Sequence, residues 1–208
     1  MELLKSFFAI IIFLTIANIA NSQESANVIT SFKNSYNYEK EGEYSKAISE
    51  VKKVYSEESY AYEINLRLAW LHYLSGLFTE SSAYYKKAIT LRPYSIEAKL
   101  GYVYPLSALG NWTIIESQYN EILIIDPQNY TANYRQGLIC YGRKQYDKAV
   151  KYFEKIANLY PFDYDAINMY AWTNLNIGQT RKAQVLFNKL LLISPENESA
   201  LEGLKLIK

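Results

Sequence analysis

KAVKYFEKIANLYPFDYDA, residues 148–166, reads as an amphipathic helix that runs into a proline. Ala149, Phe153 and Ile156 recur at the spacing of one helical stripe. Pro161 then stops the helix, because its ring clashes one turn back and it has no N–H to donate. Phe162 follows, and Asp163 is a residue type whose carboxylate accepts from the free N–H groups of a new first turn. The same punctuation recurs. Prolines stand at 93, 127, 161 and 195, each 34 residues from the next, and two places after them come Ser95, Asn129, Asp163 and Asn197, all good N-caps. A fixed period of this length is the signature of a stacked repeat.

Further columns keep the register. Seventeen residues before each proline position come Gly42, Gly76, Gly110, Lys144 and Gly178, where a helix end needs a positive φ. Then come Tyr44, Phe78, Trp112, Tyr146 and Thr180, followed by a small or apolar column, Ala47, Ser81, Ile115, Ala149 and Ala183. Val51, Tyr85, Tyr119, Phe153 and Phe187 form the next column, and Val54, Ala88, Ile122, Ile156 and Leu190 the one after. Each unit is thus two antiparallel helices joined by a turn and closed by a proline break. Units are expected at 28–61, 62–95, 96–129, 130–163 and 164–197. The first lacks the proline, with Ser59 in its place. The closing NESALEGLKLIK is expected to form a capping helix over 198–208, with Ala200, Leu201 and Leu204 on its inner side.

These columns resemble the tetratricopeptide repeat family. Leu68-Ala69, Tyr73, Gly76, Phe78, Ala88 and Pro93 make the second unit a good copy, as Gly137, Tyr146, Ala149, Phe153 and Pro161 do the fourth. The resemblance implies an all-α fold, a right-handed α-solenoid of antiparallel helix pairs. A single hairpin cannot bury its apolar stripe and must lean on the next.

The resemblance also implies that the first helices of the units line a concave groove for peptides or partner proteins. Carried onto this chain, the groove column is Tyr36, Trp70, Tyr104, Leu138 and Trp172, flanked by Phe32, Leu66, Leu100, Tyr134 and Asn168. Tyr73 and Tyr141 lie on the other side, and Arg67 and Arg135 sit beside the rows. The candidate partner-binding residues are therefore Phe32, Tyr36, Arg67, Trp70, Tyr73, Tyr104, Tyr134, Arg135, Tyr141 and Trp172. Large, rigid, partly polar side chains of this kind dominate interaction hot spots. The same columns also serve packing between helices. Some family members hold a terminal carboxylate with Lys and Asn on this face, but the matching positions here are aromatic or aliphatic.

Gly101 and Pro105 both fall inside the first helix of the third unit, which predicts a kink or an early helix end near 101–105. Lys53, Lys87, Lys155 and Lys189 share a column of the second helices with Glu121 and read as a solvated outer face.

Composition narrows the function. Of the 208 residues half are hydrophobic, about a fifth are charged, and 21 are tyrosine. The net charge of +1 gives no concentrated positive field for phosphate, so nucleic acid is not an expected partner. Lys5, the apolar run from Phe7 to Ala20 and Ala20-Asn21-Ser22 read as a signal peptide over 1–22, cleaved before Gln23 and followed by a short linker over 23–27, with a retained membrane anchor as the alternative. Export to the periplasm or beyond is expected. Cys140 is the one cysteine, so no disulfide forms within the chain. His72, the one histidine, falls in the same column two units away, which leaves no basis for nucleophilic catalysis, and soft ligands are too few for a metal. Sequons at Asn111, Asn129 and Asn197 read as turn and cap residues. The expectation is a non-enzymatic adaptor or assembly factor of the cell envelope or exterior, without cofactor, that docks a protein or peptide in an aromatic groove. Glycan or peptidoglycan binding through the same aromatics, or service as a rigid spacer, are the alternatives.

Overall fold

The computed structural model describes residues 25–207, and the segment read as a signal peptide lies outside the described residues. Eleven α-helices occur among the described residues, with no strand. They are α1 (25–40), α2 (Tyr44–Lys52), α3 (Ala61–Leu74), α4 (Phe78–Leu91), α5 (Ile96–Ala108), α6 (Trp112–Ile125), α7 (Tyr130–Gly142), α8 (Tyr146–Leu159), α9 (Tyr164–Asn176), α10 (Thr180–Ile193) and α11 (Glu198–Ile207). The chain divides into two compact units between Asn111 and Trp112, in the turn after α5. The first holds α1–α5 and the second α6–α11. Within each, antiparallel pairs follow one another in tandem: α4 packs on α5, α8 on α9 and α10 on α11.

The proline break works as its chemistry requires. The side chains of Ser95, Asn129, Asp163 and Asn197 accept hydrogen bonds of 2.7–3.1 Å from the N–H groups of Ala98, Ala132, Ala166 and Ala200. All four alanines are fully buried. The cap therefore fixes where the helix starts, while the alanine lets that first turn press against its neighbour. At Ser59, where proline is missing, the pattern changes. The second helix of that pair, α2, stops after nine residues, a 3₁₀ turn spans Glu58–Tyr60, and α3 starts without a side-chain cap.

The turns between paired helices need a left-handed residue, and Lys144 fills that place at φ 58°. Its N–H bonds the carbonyl of Tyr141 at 2.9 Å and the next N–H, of Gln145, bonds that of Cys140 at 2.8 Å. These bonds satisfy the helix-end carbonyls. The cost of a Cβ in this conformation is roughly 1 kcal/mol relative to the glycine of the other units.

Cores are local to each unit. In the first, Val51, Ile64, Leu68 and Leu71 are sealed between α2 and α3. In the second, Phe153, Ile167, Phe187 and Leu190 are fully buried. Three glycines act as sockets for large rings. A Cβ at Gly101 would collide with the Tyr85 ring, one at Gly137 would sit 2.7 Å from Phe153, and one at Gly203 would collide with Phe187. Tyr85, Phe153 and Phe187 share one repeat column. Yet Phe153 fills a glycine socket on the first helix of its own pair, while Tyr85 and Phe187 fill one on the helix that follows. The glycine marks the direction.

Two expectations need correction. Of the kink or early helix end expected near 101–105, the early end does not occur: the helix runs on through Pro105 to Ala108. Pro105 and Leu106 are buried, so packing holds the helix together despite the missing N–H, and the carbonyl left without that donor belongs to Gly101. In the C-terminal helix Ala200 and Gly203 are buried and Leu204 is half-buried, but Leu201 is 41% exposed. The Phe187 ring takes the space a Cβ on Gly203 would need, and the buried face of the helix runs through Ala200 and Gly203 rather than through Leu201.

Candidate functional site

In the first unit, α1, α3 and α5 surround a hollow of about 1350 Å³. Phe32 and Tyr36 reach it from α1, Leu66, Arg67 and Trp70 from α3, and Leu100 and Tyr104 from α5. Tyr36 and Tyr104 are half exposed, at 50% and 51%, and Trp70 is half-buried. The rings of Trp70, Tyr73 and Tyr104 touch one another, with centroids 5.5–6.2 Å apart. Six of the ten candidate residues thus come together, five on the lining of the hollow and Tyr73 behind Trp70 and Tyr104.

Arg67 does not stand free in the groove. It is 6% exposed, its guanidinium lies 3.8 Å from the Tyr36 ring centroid, and its Nε donates to Ser35 Oγ at 3.0 Å. Its Nη1 forms an ion pair with the Glu39 carboxylate, which also accepts from Trp70 Nε1 at 2.9 Å. The expected free guanidinium is therefore an internal strut between α1 and α3. At the other end Arg92 is paired with Glu63 at 2.6 Å and lies over the Tyr62 ring, whose hydroxyl bonds Ser95 Oγ.

Glu39, Tyr62, Tyr85 and Arg92 line the hollow and were missed by the column argument. Glu39 sits three residues after Tyr36 and so shares its face. Pairing acids and bases on successive first helices would have found it. Tyr85 is read from sequence as core, and it is 3% exposed, but the absent side chain of Gly101 opens its ring toward the hollow. Burial pushes its phenol well above the usual tyrosine range.

In the second unit the candidate residues are largely occupied by packing. Tyr134 stacks on Tyr130 and meets the edge of Phe153, and Tyr141 meets Tyr146 and accepts from Asn176 Nδ2 at 3.1 Å. Trp172 packs edge-on against Phe187 at 5.2 Å and donates through Nε1 to Ser199 Oγ on α11, at 2.8 Å. Arg135 is exposed.

His72 and Cys140 have no catalytic setting. Both imidazole nitrogens of His72 are buried without a hydrogen-bond partner among the described residues, and the ring stacks on Tyr84 at 5.1 Å. Cys140 is buried in the apolar cluster of the second unit, which pushes its thiol up. No group of three or more His, Cys, Asp or Glu residues placed to hold a metal ion occurs among the described residues.

His72 makes a prediction about acid. Burial, and to a lesser degree Lys52, holds its pKa below the ordinary value, with Glu80 opposing weakly. The unfolded chain takes up this proton near pH ~6.5, before the folded chain does. The stability that depends on a neutral His72 is complete above that pH and is lost as the pH falls through the lower folded-state value. The unfolding midpoint should drop on moving from about pH 7.5 to about pH 5, and His72→Phe, which keeps the stack on Tyr84, should flatten that drop. An unchanged slope would remove His72 as the cause.

Residues 62–95 and residues 130–163 each match the family model of the tetratricopeptide repeat. The chain is a tetratricopeptide repeat protein. Solved tetratricopeptide repeat structures share its fold. One from Parabacteroides merdae is 20% identical and superposes with a TM-score of 0.72 over 88% of this chain and 72% of its own. YrrB, described as a TPR protein with an unusual peptide-binding site, is 16% identical with a TM-score of 0.66, covering 91% of this chain and 97% of its own. Among curated proteins, anaphase-promoting complex subunit 7 of Arabidopsis thaliana is 24% identical over 155 residues, 72% of this chain. The chain spans 27% of the length of that relative. The tetratricopeptide repeat fold suggests a role in protein–protein interaction or scaffolding.

Proposed function

We propose that this tetratricopeptide repeat protein is a non-enzymatic adaptor or assembly factor of the cell envelope or cell exterior, and that it docks a protein or peptide segment in the hollow of its first unit. The observation that carries the reading is the pair of half-exposed rings, Tyr36 and Tyr104, on either side of Trp70. The Glu39–Arg67 ion pair and the Trp70 Nε1 bond hold these rings in place before any ligand arrives, which lowers the ordering cost of binding. Likeness to YrrB, a protein described by its peptide-binding site, supports a peptide as the occupant. The apolar segment Phe7–Ala20 supports the location, and mass determination of the mature N-terminus tests it.

Tyr36→Ala combined with Tyr104→Ala tests the docking role while leaving the Glu39–Arg67 ion pair and the Trp70 Nε1 bond in place. Crosslinking in the native cell should show discrete protein partners lost from the double variant, with affinity for a purified partner falling at least about tenfold. The melting point should fall only modestly, by the loss of the Tyr36–Arg67 and Tyr104–Trp70 contacts, with a single cooperative transition retained. Partners that remain crosslinked to the double variant would overturn the assignment. Retention on isolated cell-wall material with no protein partner would replace it with glycan binding.

A further inference from the structure

The most exposed large hydrophobic side chains of the protein recur at its proline breaks. In the second unit Ile124, Phe162 and Leu192 are 82%, 80% and 85% exposed, and no other large hydrophobic side chain described in that unit exceeds 64%. Each lies within three residues of a proline, Pro127, Pro161 or Pro195. In the first unit Tyr94, next to Pro93, is 81% exposed. None of them serves the core, because Ala88, Ile122, Ile156 and Leu190 fill the last buried column of the second helices. Hydrophobic side chains scattered singly over a surface need no explanation, but a row along one edge does.

The three turns of the second unit form one continuous edge. There α6, α8 and α10 end and α7, α9 and α11 begin. Tyr160 meets the Tyr130 ring edge-on at 5.4 Å, Lys155 Nζ donates to the Pro127 carbonyl at 3.0 Å, and Asn197 Nδ2 donates to the Tyr164 hydroxyl at 2.8 Å, so each turn is tied to the next. The protruding side chains stand singly, one to a turn, with polar caps between them. The core of a protein–protein interface is a merged apolar patch, whereas a bilayer interface takes in separate apolar and aromatic tips while the turns keep their hydration. Asp126 and Asp163 are engaged within the turns, and Lys155 and Lys189 stand near this edge with Asp165, Glu196 and Glu198. Charges of both signs give no field that would demand anionic lipid. In the first unit α1 begins at the equivalent edge, where Ser25 Oγ and the Tyr60 hydroxyl lie 2.8 Å apart beside Ser59, the residue in the proline place. The apolar run Phe7–Ala20 joins the chain there after four residues, so a membrane that receives the run lies close to that edge.

We propose that the proline-turn edge of the second unit docks on a zwitterionic lipid surface, with Ile124, Phe162 and Leu192 inserted at the boundary between headgroups and acyl chains. Tyr94 offers the first unit a contact of the same kind. The hollow is a different surface, and this inference does not rest on the docking reading above.

The test mixes the purified chain from Gln23 onward, which holds every described helix, with vesicles of phosphatidylcholine, alone or with about a quarter phosphatidylglycerol, and measures the fraction that sediments with lipid. Starting at Gln23 keeps the apolar run Phe7–Ala20 from binding the vesicles itself. Sedimentation with both vesicles is expected. Partition should fall at least about tenfold in the Ile124→Ser, Phe162→Ser, Leu192→Ser variant, whose melting point should barely move because all three side chains are largely exposed. Val185, exposed midway along α10, is the control, and Val185→Ser should bind as the parent chain does. The proposal falls if the chain does not sediment with phosphatidylcholine, if the triple variant sediments equally well, or if Val185→Ser loses as much. Protein crosslinks lost from the triple variant without any vesicle binding would give the edge to a protein partner instead. The Tyr36→Ala, Tyr104→Ala variant should keep its vesicle binding, and losing it would move the lipid contact to the hollow.

Discussion

Glu39→Gln should lower the unfolding free energy of the first unit by about 3 kcal/mol or more, a larger loss than any exposed groove residue would give. The amide still accepts from Trp70 Nε1, but Arg67, with a side chain only 5% exposed, is left as a buried cation without its anion. Arg67→Met should cost less. Its thioether fills much of the space under Tyr36, and the stranded Glu39 side chain, 23% exposed, is able to keep part of its hydration. Denaturant unfolding of the two variants compares them directly. If Arg67→Met proved the costlier, the strut would be acting through packing and stacking rather than through charge.

Phe187→Ala should cost about 3–5 kcal/mol in the second unit, the range for emptying a fully buried aromatic site. The ring fills the Gly203 socket on α11 and meets the Trp172 indole in a T-shaped contact, and Trp172 Nε1 reaches Ser199 on that same helix α11. Losing it should therefore loosen α11 before the rest of the unit. Limited proteolysis should cut within 198–207, and Trp172 emission should shift to longer wavelength. Cleavage elsewhere first would show that α11 is held by Ala200 and the Asn197 cap without the ring.

Features that depend on local chemistry were legible in the sequence. The proline stops, the four caps and the left-handed turn at Lys144 each involve residues within a few positions of one another, so a 34-residue register was enough to place them. The groove was legible as a set of columns only where neighbouring helices left it uncovered. Tyr36, Trp70 and Tyr104 line one hollow, as a shared column implies. Trp172 does not, because α11 approaches its indole and Ser199 takes its N–H. Arg67 was misread for a related reason. Its fate is set by Glu39 on a different helix, in a different column, and periodicity compares like positions rather than unlike ones. Gly101 looked like a defect in a helix because its partner, Tyr85, lies sixteen residues away on the adjacent element. No window on α5 alone contains it.

The ring-and-socket pattern limits how this array is able to evolve or be re-engineered. Swapping the helix that bears Gly101 for its counterpart bearing Arg135 would drive a long cation into Tyr85, although both occupy the same repeat column. Neighbouring modules are keyed to one another like wards in a lock, so duplication or shuffling of single hairpins should fail unless the complementary ring travels with its glycine.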